Sequence, residues 1–378
     1  MSSFAITKIS AKNFKSLADF EMADLPQFVC LIGVNGAGKT TLLQALGFVR
    51  AMMSGKVNEW LASHDMTPGD LFTIGPEKRS IIEFKIEALI DGEEASWECK
   101  FNPREMRCSY EKLFEKGNVY TFSSGKLTIQ KKNEAKPKTL EFERTNYEGS
   151  IFSFMLTELS SHLCFMRAFG VLDPGAIAES TRFTSDKIAP EVRENGENIS
   201  GFIASLPTEQ QRQIFDSLSE FYPPLIDFKV KKQRFGWKSL LFSELEKTTF
   251  SASNLSYGTL RLFLLISQQY TQSNAIMFDE IENGFNQELF ENLVRLLLNY
   301  GNPPKQVFVT THSGLFLNYL PDDVARQSVY FLYKDSHNHT KATRFFDIKS
   351  MNEKLNVLGP GEAMGDTNLN HLVEELRG

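Results

Sequence analysis

Eight consecutive residues, Gly33-Val34-Asn35-Gly36-Ala37-Gly38-Lys39-Thr40, constrain this chain more than anything else in it. They fit the pattern G-x-x-x-x-G-K-[ST] and have the setting that pattern needs. Phe28-Val29-Cys30-Leu31-Ile32 before them reads as a short buried strand, and Thr41-Leu42-Leu43-Gln44-Ala45-Leu46 after them reads as a helix. The glycines let the backbone turn its N–H groups inward around a phosphate chain. The helix N-terminus adds unpaired donors and a partial positive charge. The pattern assigns Lys39 to the β- and γ-phosphates and the Thr40 hydroxyl to Mg²⁺. Asn35, Gly36, Ala37, Gly38 and Thr41 complete the nucleotide-binding loop.

Composition narrows the class. At 378 residues, 42% hydrophobic and 23% charged, the chain has the make-up of an ordinary globule with ample core. Its first residues lack a signal-peptide apolar region, and no apolar run approaches the roughly 20 residues of a membrane span. Cys30, Cys99, Cys108 and Cys164 are scattered with no C-x-x-C pair, which fits free thiols in a reducing cytoplasm. A net charge of −6 argues against a protein coated by nucleic acid but leaves room for a local basic groove.

The chain reads as an α/β protein in three segments. Residues 1–150 hold the phosphate loop followed by short alternating runs over 79–145, which predict an antiparallel β-subdomain with the basic run from Lys131 to Lys138 at a hairpin tip. Residues 151–235 predict a helical insert, with one helix from Ile199 and another from Pro207-Thr208 through Phe221, too short for a long coiled-coil arm. Residues 236–378 alternate strand and helix as a βαβ sheet does.

The remaining chemistry lies in that last segment. Ala275-Ile276-Met277-Phe278-Asp279-Glu280 is an apolar strand delivering two acids to the carboxyl edge of a sheet, where α/β proteins place ligands. Asp279 is the candidate to hold Mg²⁺ through water, and Glu280 the candidate general base. Ser256 in Asn254-Leu255-Ser256-Tyr257-Gly258-Thr259-Leu260-Arg261 caps a predicted helix through Ser267, with Gly258 permitting close backbone approach; the run reads either as a plain capped helix or as a second anion site. Val307-Phe308-Val309-Thr310-Thr311-His312-Ser313 is another strand with a polar end, and His312 is the candidate for a γ-phosphate contact. His337 and His339 read as a hairpin tip rather than a metal site.

This ordered set resembles the ABC-type ATPase heads of the RecF and SMC group, most closely the compact prokaryotic OLD-like and anti-phage defence ATPases. The likeness runs along nearly the whole chain. Ile9-Ser10-Ala11-Lys12-Asn13-Phe14-Lys15-Ser16 looks like the group's first strand and basic loop, which implies that Lys15 contacts nucleotide. Gly33 to Thr40 matches Walker A, Leu255 to Arg261 the signature in its L-S-x-G-T-x-R form, Asp279 to Gly284 Walker B running into the D-loop, and His312 the switch histidine. The resemblance implies ATP and Mg²⁺ as cofactors, catalytic roles for Glu280, His312 and Lys39, and a head-to-tail homodimer in which Ser256 and Gly258 reach the partner's nucleotide. No Q-loop glutamine is assigned. The chain stops at Gly378, short of the TOPRIM nuclease that follows the head in OLD proteins, so a separately encoded effector, a nuclease or toxin, is the expected partner.

The rival reading is the nucleotide-binding subunit of an ABC transporter. Transport subunits carry Ser-Gly-Gly-Gln at the signature and Pro-Thr after Walker B, where this chain has Ser256-Tyr257-Gly258-Thr259 and Ile281-Glu282. DNA is a possible ligand. Lys229, Lys231, Lys232, Arg234 and Lys238, interleaved with Phe228, Phe235 and Trp237, read either as a basic ribbon for phosphates or as a solvated strand with its aromatics turned inward.

Overall fold

A computed structural model of the chain describes residues 3–74, 80–142, 147–169, 181–182, 191–193, 196–245 and 248–377. Contacts group them into two units, residues 1–168, 274–277 and 303–378 in the first and 169–273 and 278–302 in the second. The first unit is thus discontinuous in sequence: residues 274–277 and 303–378, which follow the second unit's helices in the chain, group with residues 1–168.

The first unit contains the antiparallel sheet expected from the alternating runs. Its strands are β1 (Phe4–Phe14), β2 (Leu17–Ala23), β4 (Ile82–Ile90), β5 (Glu93–Asn102), β6 (Arg107–Glu115), β7 (Asn118–Ser123), β8 (Lys126–Gln130) and β9 (Lys138–Glu141), in the order β2-β1-β4-β5-β6-β7-β8-β9. In β4 the period of two is strict: Ile82, Phe84, Ile86, Ala88 and Ile90 are buried. The basic run from Lys131 lies in the connection between β8 and β9, which pair antiparallel.

The other sheet of this unit is six-stranded, built from β3 (Phe28–Ile32), β10 (Arg167–Phe169), β15 (Ala275–Phe278), β16 (Gln306–Thr310), β17 (Val329–Lys334) and β18 (Thr340–Arg344), ordered β10-β15-β16-β3-β17-β18. β3, β15 and β16 are buried along their whole length, so they read as continuous apolar runs rather than alternations. Buried Gln306 joins the sheets. Its side-chain oxygen accepts from the Ile6 N–H at 2.8 Å, and its amide donates to Ile6 O at 2.8 Å and Pro26 O at 2.9 Å. Helix α1 (Lys39–Met53) is fixed by aromatic packing. Phe48 lies 5.6 Å from Phe14, 5.1 Å from Trp60 and 5.2 Å from Phe101, ring centre to ring centre.

The second unit holds helices Ile199–Ser205, Thr208–Phe221 and Tyr257–Gln268, with a small antiparallel sheet of β11 (Thr181–Arg182), β12 (Leu225–Lys232), β13 (Trp237–Glu244) and β14 (Thr249–Ser251). The segment expected to be helical therefore also carries β12. Its core is a triangle of rings, Phe228, Phe242 and Phe263, with centres 5.5–6.0 Å apart. Within the expected insert, residues 170–180, 183–190 and 194–195 lie outside the described residues.

Candidate functional site

In the first unit, β3 feeds the phosphate loop directly into α1. Gly38 precedes the helix in a left-handed conformation, φ +108°, and a Cβ there would collide with the Thr340 side chain. Thr340 is placed to support the loop: its hydroxyl donates to Ala37 O at 2.9 Å and lies 2.8 Å from the Ser16 hydroxyl. No side chain caps α1, and no acid lies in its first turn. Its N-terminus is thus left for an anion. Lys39 is buried, its ammonium donating to Gly33 O at 2.9 Å and Val34 O at 3.3 Å, while Asn35, Gly36 and Thr40 are exposed. The carbonyls hold Lys39 inside the curl of the loop, which is where a β,γ-phosphate pair would need a cation.

Lys15 sits in the β1–β2 turn at φ +49°, half-buried, its N–H donating to Leu71 O at 2.8 Å. Its ammonium donates to Gln44 Oε1 at 2.7 Å. Gln44 lies one helical turn after Thr40 on α1, so Lys15 reaches the opening of that helix. Burial pulls its pKa down from the ordinary lysine value, with Asp70 opposing. His312 follows β16, which runs parallel to β3 with Thr310 opposite Leu31. The phosphate loop and His312 therefore leave the sheet from one edge, and His312 is exposed there. At the other hairpin, Asp335 Oδ1 accepts the N–H groups of His337 and His339, both at 2.9 Å, which ties that turn together.

In the second unit, Ser256 caps the Tyr257–Gln268 helix, its hydroxyl accepting the Thr259 N–H at 3.1 Å. A Cβ on Gly258 would collide with Gly284 O, so that glycine permits the close approach foreseen for it. Asp279 and Glu280 follow β15 without a break. The Asp279 N–H donates to Phe169 O at 3.1 Å, and Glu280 adopts φ +48°. Holding a glutamate in the left-handed region costs on the order of 1 kcal/mol and persists only where the surroundings enforce it.

Arg261 is a buried side chain whose partners the sequence did not disclose. It is 4% exposed, and one terminal nitrogen donates to both Asp279 O at 2.9 Å and Glu280 O at 2.7 Å. Its guanidinium also lies 5.8 Å from the centre of the Phe285 ring. Burial pulls its pKa down, opposed by Tyr257, Glu282 and Glu280. Gln44 and Thr340 were likewise not singled out; both act from elements remote in sequence from the loops they support.

Residues 28–318 match the profile of the family described as "AAA domain, putative AbiEii toxin, Type IV TA system". Among solved structures, an SMC head bound to the C-winged helix domain of ScpA aligns with a TM-score of 0.56 at 14% identity, covering 89% of this chain and 96% of that one. An SMC head with an extended coiled coil, bound to the C-terminal domain of ScpA derived from Pyrococcus furiosus, aligns with a TM-score of 0.53 at 13% identity over the whole of both chains. At such identities the likeness is one of fold. No curated protein matches the chain by sequence. Among the described residues, no helix is long and apolar enough to cross a membrane.

Proposed function

The chain belongs to this AAA-domain family, and we propose that it is a Mg²⁺-dependent ATPase, closest in kind to OLD-like defence ATPases, acting as a cytoplasmic head-to-tail homodimer that gates a separately encoded nuclease or toxin in phage defence or DNA maintenance. The observation that carries the ATPase reading is the folded phosphate loop, with Lys39 held in its curl and the uncapped start of α1 beside it. The family descriptor's reference to a toxin system supports the defence setting.

In this reading Lys39 balances the β- and γ-phosphate charge, and Asn35 to Gly38 and Thr41 supply the cradle. Thr40 would offer its hydroxyl and Asp279 its carboxylate to Mg²⁺, and the ion would neutralise developing phosphate charge. Glu280 accepts a proton from water as its oxygen bonds to the γ-phosphorus and the bond to ADP breaks. His312 donates to the γ-phosphate. Ser256 and Gly258 serve the partner's nucleotide. The transporter reading lacks its diagnostic residues, Ser-Gly-Gly-Gln and Pro-Thr, in this chain.

The decisive variant is Glu280→Gln. It removes the proton acceptor while keeping size and shape, so ATP binding should survive, hydrolysis should fall by about 10²–10⁴, and ATP-bound dimer should accumulate. Near-normal turnover in the purified variant would take Glu280 out of the base role.

A further inference from the structure

We infer that Arg261 is a positioning residue that holds the Asp279–Glu280 turn in its left-handed shape and ties the aim of the Glu280 carboxylate to the signature helix. The inference rests on the reading of Glu280 as the base. It adds a means of controlling that base from another motif.

The geometry has three parts, all within the second unit. First, Glu280 has φ +48°, in the left-handed region that an L-residue other than glycine enters only at a cost. Second, Arg261 donates to the carbonyls on both sides of that strained residue's N–Cα–C unit, those of Asp279 and Glu280. Two bonds from one planar group to successive carbonyls fix the orientation of both peptide planes, and so the direction in which the intervening side chain leaves the backbone. Third, the guanidinium is itself immobilised, buried and lying beside Phe285 two turns of chain further on. A buried guanidinium whose donors were left unmatched would be unfavourable, so the carbonyls and the arginine require each other.

The same helix meets the D-loop at its start. Gly258 abuts Gly284 O, and a Cβ on Gly284 would stand 2.6 Å from the Tyr257 ring. Ser256 precedes these contacts by one and two residues. A displacement of the helix start, as on engagement of Ser256 by a phosphate, would therefore reach Glu280 through two routes: the Gly258–Gly284 contact and the Arg261 clamp.

The test uses the full chain with Arg261→Ala and Arg261→Lys, each measured for nucleotide affinity with a fluorescent ATP analogue and for steady-state ATP turnover. Arg261→Ala should bind the analogue within about threefold of the parent while kcat falls by about 10-fold or more; Arg261→Lys, which keeps a cationic donor, should recover part of that loss. The discriminating measurement repeats Arg261→Ala in the Glu280→Gln background. If Arg261 acts through Glu280, the residual rate there should change by less than about twofold, since the base it positions is already gone. Should Arg261→Ala fail to fold, the same comparison is made with Arg261→Lys. The proposal is overturned if the arginine variants turn over normally, if they lose affinity and turnover in parallel, or if their loss is undiminished in the Glu280→Gln background. Normal turnover in Glu280→Gln alone would instead overturn the base reading beneath it, so the two failures are told apart.

Discussion

Glu111 shows how a single side chain can carry a pH signature into this fold. It is a fully buried carboxylate on β6, accepting from Trp97 Nε1 at 2.9 Å, from the Ile151 N–H at 2.6 Å and from the Ser150 hydroxyl. Burial raises its pKa from 4.5 to about 7, against the pull of those three donors. Between these values the folded protein binds more proton than the unfolded chain, so stability falls as pH rises through that window. A change of this size is worth about 3 kcal/mol. Glu111→Gln has no proton to lose but must turn an amide N–H₂ toward a donor, at about 1–3 kcal/mol. Thermal unfolding should show a variant clearly weaker than the parent at pH 5, with the gap narrowing by pH 8. A gap of equal size at both would mean that Glu111 does not titrate there. Local chemistry of another kind was legible at once: Gly33 to Thr40 declares itself because a tight phosphate curl tolerates few residue types. The Arg261 clamp was not, because its acceptors are backbone carbonyls, which every residue has.

Among the elements, periodicity revealed those with one dominant face. β4 alternates strictly, and the Tyr257–Gln268 helix starts where Ser256 said it would. β2 went unread, because in Leu-Ala-Asp-Phe-Glu-Met-Ala the second apolar residue breaks the alternation at its outset. The β12–β13 hairpin falls between the two readings given for it. Phe228 turns inward against Phe242, but Phe235 is 81% and Trp237 41% exposed. The register explains the change. Val230 opposite Leu240 is the last apolar pair; Lys232 faces Lys238 beyond it, and Phe235 occupies the turn itself at φ +60°. The core ends before the aromatics do. An exposed ring amid lysines suits a nucleic-acid strand, whose bases stack and whose phosphates pair. Replacing Lys231, Lys232 and Arg234 by Glu should abolish DNA retention in filter binding while leaving ATP affinity intact. In the parent, log affinity should fall with log salt at a slope of about −2 to −3 for three phosphate contacts. Retention unchanged in the triple variant would return the hairpin to the solvent-facing role.

At the scale of the whole molecule, chain order hides the grouping of the fold. Residues 274–277 belong with the first unit's sheet although the sequence on both sides belongs to the second, and no composition shift marks either crossing. Spacing along the chain therefore could not deliver the unit boundaries, whereas motif order could deliver the ATPase reading. That order also bears on assembly. Ser256 is exposed at the capped start of its helix, and exposed Asn35, Gly36 and Thr40 mark the phosphate loop. If each nucleotide is completed by the signature of a second copy, lesions in the two motifs should complement. Lys39→Ala disables the phosphate loop and Ser256→Arg disables the signature. In a mixed dimer of the two, one composite site holds both lesions and the other holds neither, so that one site should recover hydrolysis, up to about half the parent rate per dimer if sites act independently. The measurement is ATPase activity against mixing ratio, with heterodimer formation followed separately by differently tagged chains. A rate that stays at the level of the single variants while heterodimers are present would overturn the reading in which the signature acts across the dimer.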